Sequence, residues 1–291
     1  MDRNTMPDLN GKTVLITGAT SGIGLEAAVA MAGTGARTVI VGRNPDKTAA
    51  VLAQVKQRSG SEAVESLLCD FSSQAAIRAL AGKVRERCPR LDVLINNAGT
   101  VFARRTLTED GIEATFAVNH LGYFLLTRLL LDRLVASAPA RIVNVASTEH
   151  YRGTLDFDDL GFERGYTIMK AYARSKLANV SFTRRLARDL EGTGVTANAV
   201  HPGVVATHIW DGAPAWTQPV FAIIKPLFMS SPVEGAARIT YLAASPEVAG
   251  ISGCYFEKNR PRAPSELARD EALGERLWQE SARLTGLPDT G

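Results

Sequence analysis

With 291 residues, 45% of them apolar, the chain has the hydrophobic mass for a large core and is too apolar to be disordered. A net charge of +3, with basic and acidic residues interspersed, excludes the concentrated cationic face of a nucleic-acid-binding protein. Cys69, Cys88 and Cys254 have neither CxxC spacing nor histidine partners, so reduced thiols packed as small core residues and no metal site are expected.

The N-terminal stretch Met1–Leu9 lacks an apolar signal region, and no run approaches the roughly 18 apolar residues of a transmembrane helix. A cytoplasmic protein without a transmembrane segment is expected. Lys12–Thr17 predicts the first strand and Ile23–Ala32 a small-residue helix. Arg37–Val41 predicts the second strand, and Asn44-Pro45 opens the next helix with proline in its first turn. Ala63–Leu68, Leu91–Ile95 and Arg141–Ala146 are further strands, with a long helix over Leu107–Ala136. Thr167–Leu190 predicts another long helix and Thr196–Val200 a sixth strand. Ser231-Pro-Val-Glu234 has the form of a capping box opening a helix to about Ala243. Gly253–Phe256 is a last short strand, and a charged amphipathic helix runs over about Ser265–Leu284.

Continuous Val/Ile/Leu runs, in place of alternating ones, mark strands covered on both faces. Strand–helix alternation with right-handed crossovers then gives α/β architecture: one Rossmann-type doubly wound parallel sheet of about seven strands with helices on both faces. No linker or repeat divides the chain, so residues 1–291 read as a single dinucleotide-binding and catalytic domain.

The turn Thr17-Gly-Ala-Thr-Ser-Gly-Ile-Gly24 follows the first strand and opens a helix, where a pyrophosphate can meet backbone N–H groups. Gly18 permits a tight strand exit, Gly22 close approach of phosphate, and Gly24 helix–strand packing. The second strand ends Val41-Gly42-Arg43-Asn44, with no carboxylate to hold a ribose 2′-hydroxyl. Arg43 suits a 2′-phosphate, so NADP(H) is preferred over NAD(H). Tyr172 and Lys176, four apart in a predicted helix, share one face a turn apart. Bringing a phenol from about 10 to roughly 7 takes about 4 kcal/mol. One ammonium at about 4 Å supplies roughly that at an effective dielectric near 20. Tyr172 is thus a tunable acid–base group for carbonyl reduction by hydride transfer.

Together these motifs resemble the short-chain dehydrogenase/reductase family over almost the whole chain. Asn96-Asn-Ala-Gly99 resembles the motif ending the family's fourth strand, and Asp70 the acidic residue that holds the adenine amino group. Asn119, Ser147, Tyr172 and Lys176 match the catalytic tetrad, and Pro202-Gly-Val-Val-Ala-Thr207 the segment contacting the nicotinamide amide. The resemblance implies cofactor contacts from Gly18, Thr20, Ser21, Gly22, Ile23, Gly24, Asp70, Phe71, Asn97, Ala98, Gly99, Tyr172, Lys176, Pro202, Gly203, Val205 and Thr207. It also implies a substrate-orienting role for Ser147 and a water held by Asn119 that relays protons to Lys176. Asn119-His-Leu-Gly-Tyr-Phe-Leu-Leu-Thr127, Ser175-Lys-Leu-Ala-Asn179 and Leu277-Trp-Gln-Glu-Ser-Ala-Arg283 look like the retinol-dehydrogenase-like branch. Homodimers or homotetramers built on the two long helices are implied as well.

The fold places its substrate lid at about residues 209–230, where Trp210, Trp216 and Phe221 lie in an apolar segment. A bulky hydrophobic ketone or aldehyde is therefore the expected substrate. His150, three residues past Ser147, is a further candidate for the substrate border. His120, His201 and His208 read as structural or surface groups, Phe116, Tyr123 and Phe124 as core, and Arg184, Arg185 and Arg188 as a solvated helix face. Two other readings stand beside the reductase: a catalytically silent nucleotide sensor or scaffold of the same fold, and a sugar-nucleotide epimerase or dehydratase sharing Tyr-x-x-x-Lys chemistry.

Overall fold

A computed structural model describes residues 7–203 and 231–289. Among the described residues eight strands form one sheet in the order β3-β2-β1-β4-β5-β6-β7-β8. They are β1 (Thr13–Thr17), β2 (Arg37–Gly42), β3 (Val64–Leu68), β4 (Val93–Asn96), β5 (Ala140–Val145), β6 (Val195–His201), β7 (Tyr255–Glu257) and β8 (Arg260–Arg262). The first seven pair in parallel and β8 returns antiparallel to β7. This eighth strand goes beyond the expected count of about seven. Its hairpin turns on Lys258 and Asn259, both at positive φ, without the glycine that signals such a turn.

Helices α1 (Gly22–Ala32), α2 (Pro45–Ser59) and α6 (Pro232–Ala244) cover one face of the sheet; α3 (Gln74–Arg87), α4 (Ala114–Ala136) and α5 (Ile168–Asp189) cover the other. Alternate residues of each central strand feed the two cores: Val14 and Ile16 pack toward α1 and α6, Leu15 and Leu94 toward α3 and α4. That two-sided burial is why the strands carry unbroken apolar runs. Asn44 caps α2 by accepting from the Lys47 N–H at 2.9 Å, and Ser231 with Glu234 closes the anticipated capping box of α6. The strand order reverses between β1 and β4, so a crevice opens at the C-terminal ends of those strands.

Two expected helices differ. The helix anticipated from Leu107 starts at Ala114, because Leu107 bridges to Glu113 around Gly111 at φ 75. The Glu113 carboxylate then caps the helix through the N–H groups of Thr115 and Phe116, both at 2.8 Å. The anticipated C-terminal helix breaks at Asp270 into α7 (Glu266–Arg269) and α8 (Glu271–Thr285), Asp270 capping the second by accepting from the Leu273 N–H. Helix α4 is long and apolar enough to cross a membrane by length and composition, yet 83% of that apolar window is buried inside the protein.

Of the expected solvated face, Arg188 is exposed, whereas Arg184 and Arg185 are partly buried. Arg185 pairs with Asp189 and with Glu275 of α8 at 2.6 Å, Arg188 pairs with Glu271 at 2.8 Å, and Arg184 reaches the Gly253 carbonyl. Trp278 of α8 packs edge-on to Phe124 of α4 and stacks on Phe182 of α5, under the guanidinium groups of Arg128 and Arg185. Helix α8 therefore lies on the α4–α5 face, the surface on which dimers or tetramers were expected to assemble. Cys69 and Cys88 are buried, and burial pushes the Cys69 thiol up to about 12; Cys254 is half-buried.

Candidate active site

The C-terminal ends of β1, β2, β4 and β5 and the start of α1 surround a cavity of about 670 Å³. Gly18 and Gly22 leave β1 at φ 65 and 53. A Cβ on Gly18 would sit 2.7 Å from the Ala98 Cα, and one on Gly24 would sit 2.3 Å from the Gly18 carbonyl oxygen. Only glycine fits either place. Asn97 staples this turn to β4: its Nδ2 donates to the Thr17 and Gly18 carbonyls at 3.0 and 3.1 Å, while Thr17 Oγ1 accepts from the N–H groups of Asn97 and Ala98. Ser21 precedes α1 without a side-chain cap, which leaves its first-turn N–H groups for an anion.

Thr20, Ser21, Ile23 and Gly24 line the cavity, with Gly22 inside the turn. Arg43, Asp70, Phe71, Asn97, Ala98, Gly99, Pro202 and Gly203 line it too. Arg43 projects exposed from the end of β2, and among the described residues no carboxylate pairs with it. Asp70 accepts from the Ser72 N–H and hydroxyl at 2.9 and 2.7 Å. Val205, Thr207, Trp210, Trp216 and Phe221 lie outside the described residues.

Ser147, Tyr172 and Lys176 meet in this cavity. Ser147 leaves β5 and caps a short turn by accepting from the Glu149 N–H, and its hydroxyl hydrogen-bonds the Tyr172 hydroxyl. The Lys176 ammonium donates to the Val145 carbonyl at 2.9 Å and stands 5.6 Å from the Tyr172 ring centre and 5.7 Å from that of Tyr123. Asn119 sits behind them, fully buried in a π-turn over Ala117–Leu121 of α4. Its side chain is occupied: Oδ1 accepts from the Thr100 N–H, and Nδ2 donates to the Thr100 carbonyl and Ser175 Oγ.

The electrostatics differ from the expected mutual tuning. Burial pushes Tyr172 up to about 12, opposed by the Ser147 hydrogen bond, and pushes Lys176 down to about 7. Desolvation disfavours phenolate and ammonium alike and is the leading cause at both groups. Within the protein's own groups Tyr172 is a protonated phenol throughout the neutral range.

Two histidines exchange their expected places. His150 is fully buried away from the cavity: Nδ1–H donates to the Ser147 carbonyl at 2.7 Å and Nε2 accepts from the Ser265 N–H at 3.2 Å. It braces the turn behind Ser147 and is not among the residues that line the cavity. His201, at the end of β6, lines the cavity instead. Phe102, Leu107 and Met169 also line it, and none was singled out from the sequence. Nothing local in the sequence marks them: their exposure, Leu107 at 49% and Met169 at 41%, is a product of the fold.

His120, next to Asn119, is fully buried and held down to about 3 by that burial. In the unfolded chain it titrates near 6.5, so the unfolded state takes up the extra proton. Each pH unit below about 6.5 therefore costs the fold about 1.4 kcal/mol, until the folded value is reached. Thermal melts should show stability falling from pH 7 to pH 5, and His120→Gln should flatten that fall by about 2 kcal/mol. Identical pH slopes for the two proteins would contradict the assignment.

Comparison with known proteins agrees with this geometry. The short chain dehydrogenase family profile matches residues 12–218. Human retinol dehydrogenase 13 is 44% identical over 282 residues, spanning 95% of this chain and 85% of its own length. Mouse retinol dehydrogenase 14 is 42% identical over 291 residues, spanning 96% and 87%. Among solved structures, an uncharacterized protein from Mycobacterium paratuberculosis superposes with a TM-score of 0.80 at 30% identity, covering 99% of this chain and 98% of that one. A polyketide ketoreductase of actinorhodin synthesis, solved with NADPH, superposes at 0.67 and 31% identity, covering 84% and 94%. The chain is an oxidoreductase of the short-chain dehydrogenase/reductase family, in its retinol-dehydrogenase-like branch.

Proposed function

We propose that the protein reduces a bulky hydrophobic aldehyde or ketone with NADPH, and reversibly oxidises the corresponding alcohol. The carrying observation is that Ser147, Tyr172 and Lys176 share one cavity with the uncapped start of α1 and with Arg43. The cavity's donors fit a dinucleotide. The N–H groups of α1 would hold the pyrophosphate, Asp70 the adenine, Arg43 a 2′-phosphate, and Lys176 the nicotinamide ribose. When bound, the nicotinamide supplies hydride to the carbonyl carbon. Tyr172 gives its proton to the carbonyl oxygen, and its protonated state is the one reduction needs. Ser147 hydrogen-bonds the same oxygen and orients it. Lys176 then favours the phenolate left behind. A relay water held by Asn119, as the resemblance implies, would have to compete with partners already in place: Thr100 and Ser175 at the side chain and Asn179 at the carbonyl.

Substrate class rests on two supports. Two relatives are named for retinol, a bulky apolar alcohol, and Phe102, Leu107 and Met169 give the cavity an apolar border. With NADPH, all-trans-retinal should exceed glyceraldehyde in kcat/KM by about a hundredfold, the equivalent of burying three to four methylenes. A preference for the small polar aldehyde would overturn the substrate class.

A further inference from the structure

The π-turn that carries Asn119 also turns His120 inward, where a run of buried polar contacts begins. Ser281 of α8 lies 2.9 Å from His120 Nε2, and Asn179 Oδ1 lies 3.3 Å from His120 Nδ1. On the far side of that amide, Asn179 Nδ2 donates to the Asn119 carbonyl at 2.9 Å and reaches the Val145 carbonyl at 3.5 Å. Val145 is the acceptor for the Lys176 ammonium. Asn179 follows Lys176 by three residues on α5, on the same helical face. One side chain thus touches two carbonyls, Asn119 of α4 and Val145 at the end of β5, and the second of these is the acceptor for Lys176.

An amide can face either way, and only one orientation works here. Two carbonyl acceptors require the NH₂ group, so Oδ1 must face His120 and accept from Nδ1–H. That fixes the imidazole tautomer, and Nε2 then accepts from the Ser281 hydroxyl. The imidazole stays neutral because of its burial, so the tautomer does not change across the working range. A reversed amide would set an oxygen against two carbonyl oxygens in a buried site.

We propose that Asn179, oriented by His120 and Ser281, is a positioning residue that pins the Asn119 and Val145 carbonyls and thereby holds Lys176 in register with Tyr172. This rests on the reductase reading above. It also gives α8 a task beyond packing, since its Ser281 hydroxyl sets the first link of a chain that ends at the reacting groups. The Leu277–Arg283 stretch noted in the sequence acquires a physical reason: Trp278 seats the helix and Ser281 addresses His120.

The test is steady-state reduction of all-trans-retinal by NADPH in Asn179→Leu, Asn179→Asp, His120→Leu, His120→Gln and Tyr172→Phe proteins. Asn179→Asp keeps the shape and the acceptor facing His120 but sets a carboxyl oxygen, in place of the donor NH₂, against the two carbonyls; it serves if the leucine variant fails to fold. Asn179→Leu and Asn179→Asp should lower kcat roughly ten- to a hundredfold, the scale of a displacement of about 1 Å, while KM for NADPH stays within about threefold. His120→Leu should follow them. His120→Gln, which can still donate to Asn179 and accept from Ser281, should keep at least about half of the wild-type kcat, as a retained hydrogen-bond pair requires. Folded Asn179→Asp protein with wild-type kcat, or His120→Gln falling as far as His120→Leu, would overturn the proposal. If Tyr172→Phe is inactive while the Asn179 variants are unaffected, positioning fails and the reductase reading stands. If Tyr172→Phe keeps wild-type turnover, the reductase mechanism itself fails, and with it the positioning role.

Discussion

Tyr172→Phe should lower kcat by about a hundred- to ten-thousandfold, the span of general acid catalysis, while NADPH affinity stays within about threefold of wild type. The substitution removes one oxygen and leaves the ring beside Lys176, so packing in the cavity wall is kept. Ser147 loses a partner but still accepts from the Glu149 N–H, and the turn behind it remains braced by His150. What disappears is the proton donor. Among the described residues no other group is placed to replace it: Ser147 is far too weak an acid, and Lys176, although burial brings it down to about 7, is directed to the Val145 carbonyl and stands 5.6 Å from the Tyr172 ring centre. Cofactor contacts are distributed over the glycine turn, Arg43, Asp70 and the Asn97–Gly99 segment, which explains why affinity should barely move. A variant retaining a tenth or more of wild-type kcat would remove Tyr172 from the mechanism.

Arg43→Asp should reverse the cofactor preference. The β2 end is crowded where it meets the glycine turn: a Cβ on Gly42 would fall 2.4 Å from Thr20 Cγ2 and 2.1 Å from Thr48 Oγ1. The next residue is therefore the first that can point a side chain along the cavity mouth, and it is an arginine. Its planar fork can bond a phosphate at two points, and removing one such charged contact costs about 1.5–3 kcal/mol, or roughly ten- to a hundredfold in affinity for NADPH. An aspartate there adds repulsion toward the 2′-phosphate and an acceptor for a ribose 2′-hydroxyl, so NADH should gain as NADPH loses. The check is kcat/KM for both cofactors in both proteins. Equal values in the wild type would refute the role of Arg43.

What the sequence disclosed and what it hid divide along the range of the interactions. Gly18, Gly22 and Gly24 announce a strand–turn–helix within eight residues, and the structure uses two of them at positive φ and one at a contact no side chain fits. The four-residue step from Tyr172 to Lys176 is likewise local, and helical geometry alone puts both on one face. Ser147 and Asn119 lie tens of residues away, so their convergence was legible only through resemblance to a family. Residues whose role depends on a distant partner were misjudged. His150 looked adjacent to chemistry because it follows Ser147, but a turn swings it onto the Ser265 N–H. Arg185 looked solvated because its helix is charged, but α8 brings Glu275 and Trp278 over it. The π-turn at Ala117–Leu121 has no composition signature, yet it is what sends Asn119 toward the loop after β4 and His120 toward Asn179. Burial was equally illegible: the ammonium–phenol attraction can be reckoned from the sequence, but the desolvation that raises Tyr172 and lowers Lys176 depends on the packed cavity.

The central claim is that this chain turns over a carbonyl and does not merely hold a nucleotide. The most direct test is isotope transfer. The enzyme is incubated with all-trans-retinal and NADPH carrying deuterium at the transferable position, and the alcohol product is analysed by mass spectrometry. A reductase places a single deuterium on the carbinol carbon in the wild type and leaves the aldehyde unlabelled and unreduced with Tyr172→Phe. Saturable NADPH binding with no deuterium in any product, across retinal and a panel of hydrophobic ketones, would contradict the account and identify a silent nucleotide-binding protein instead.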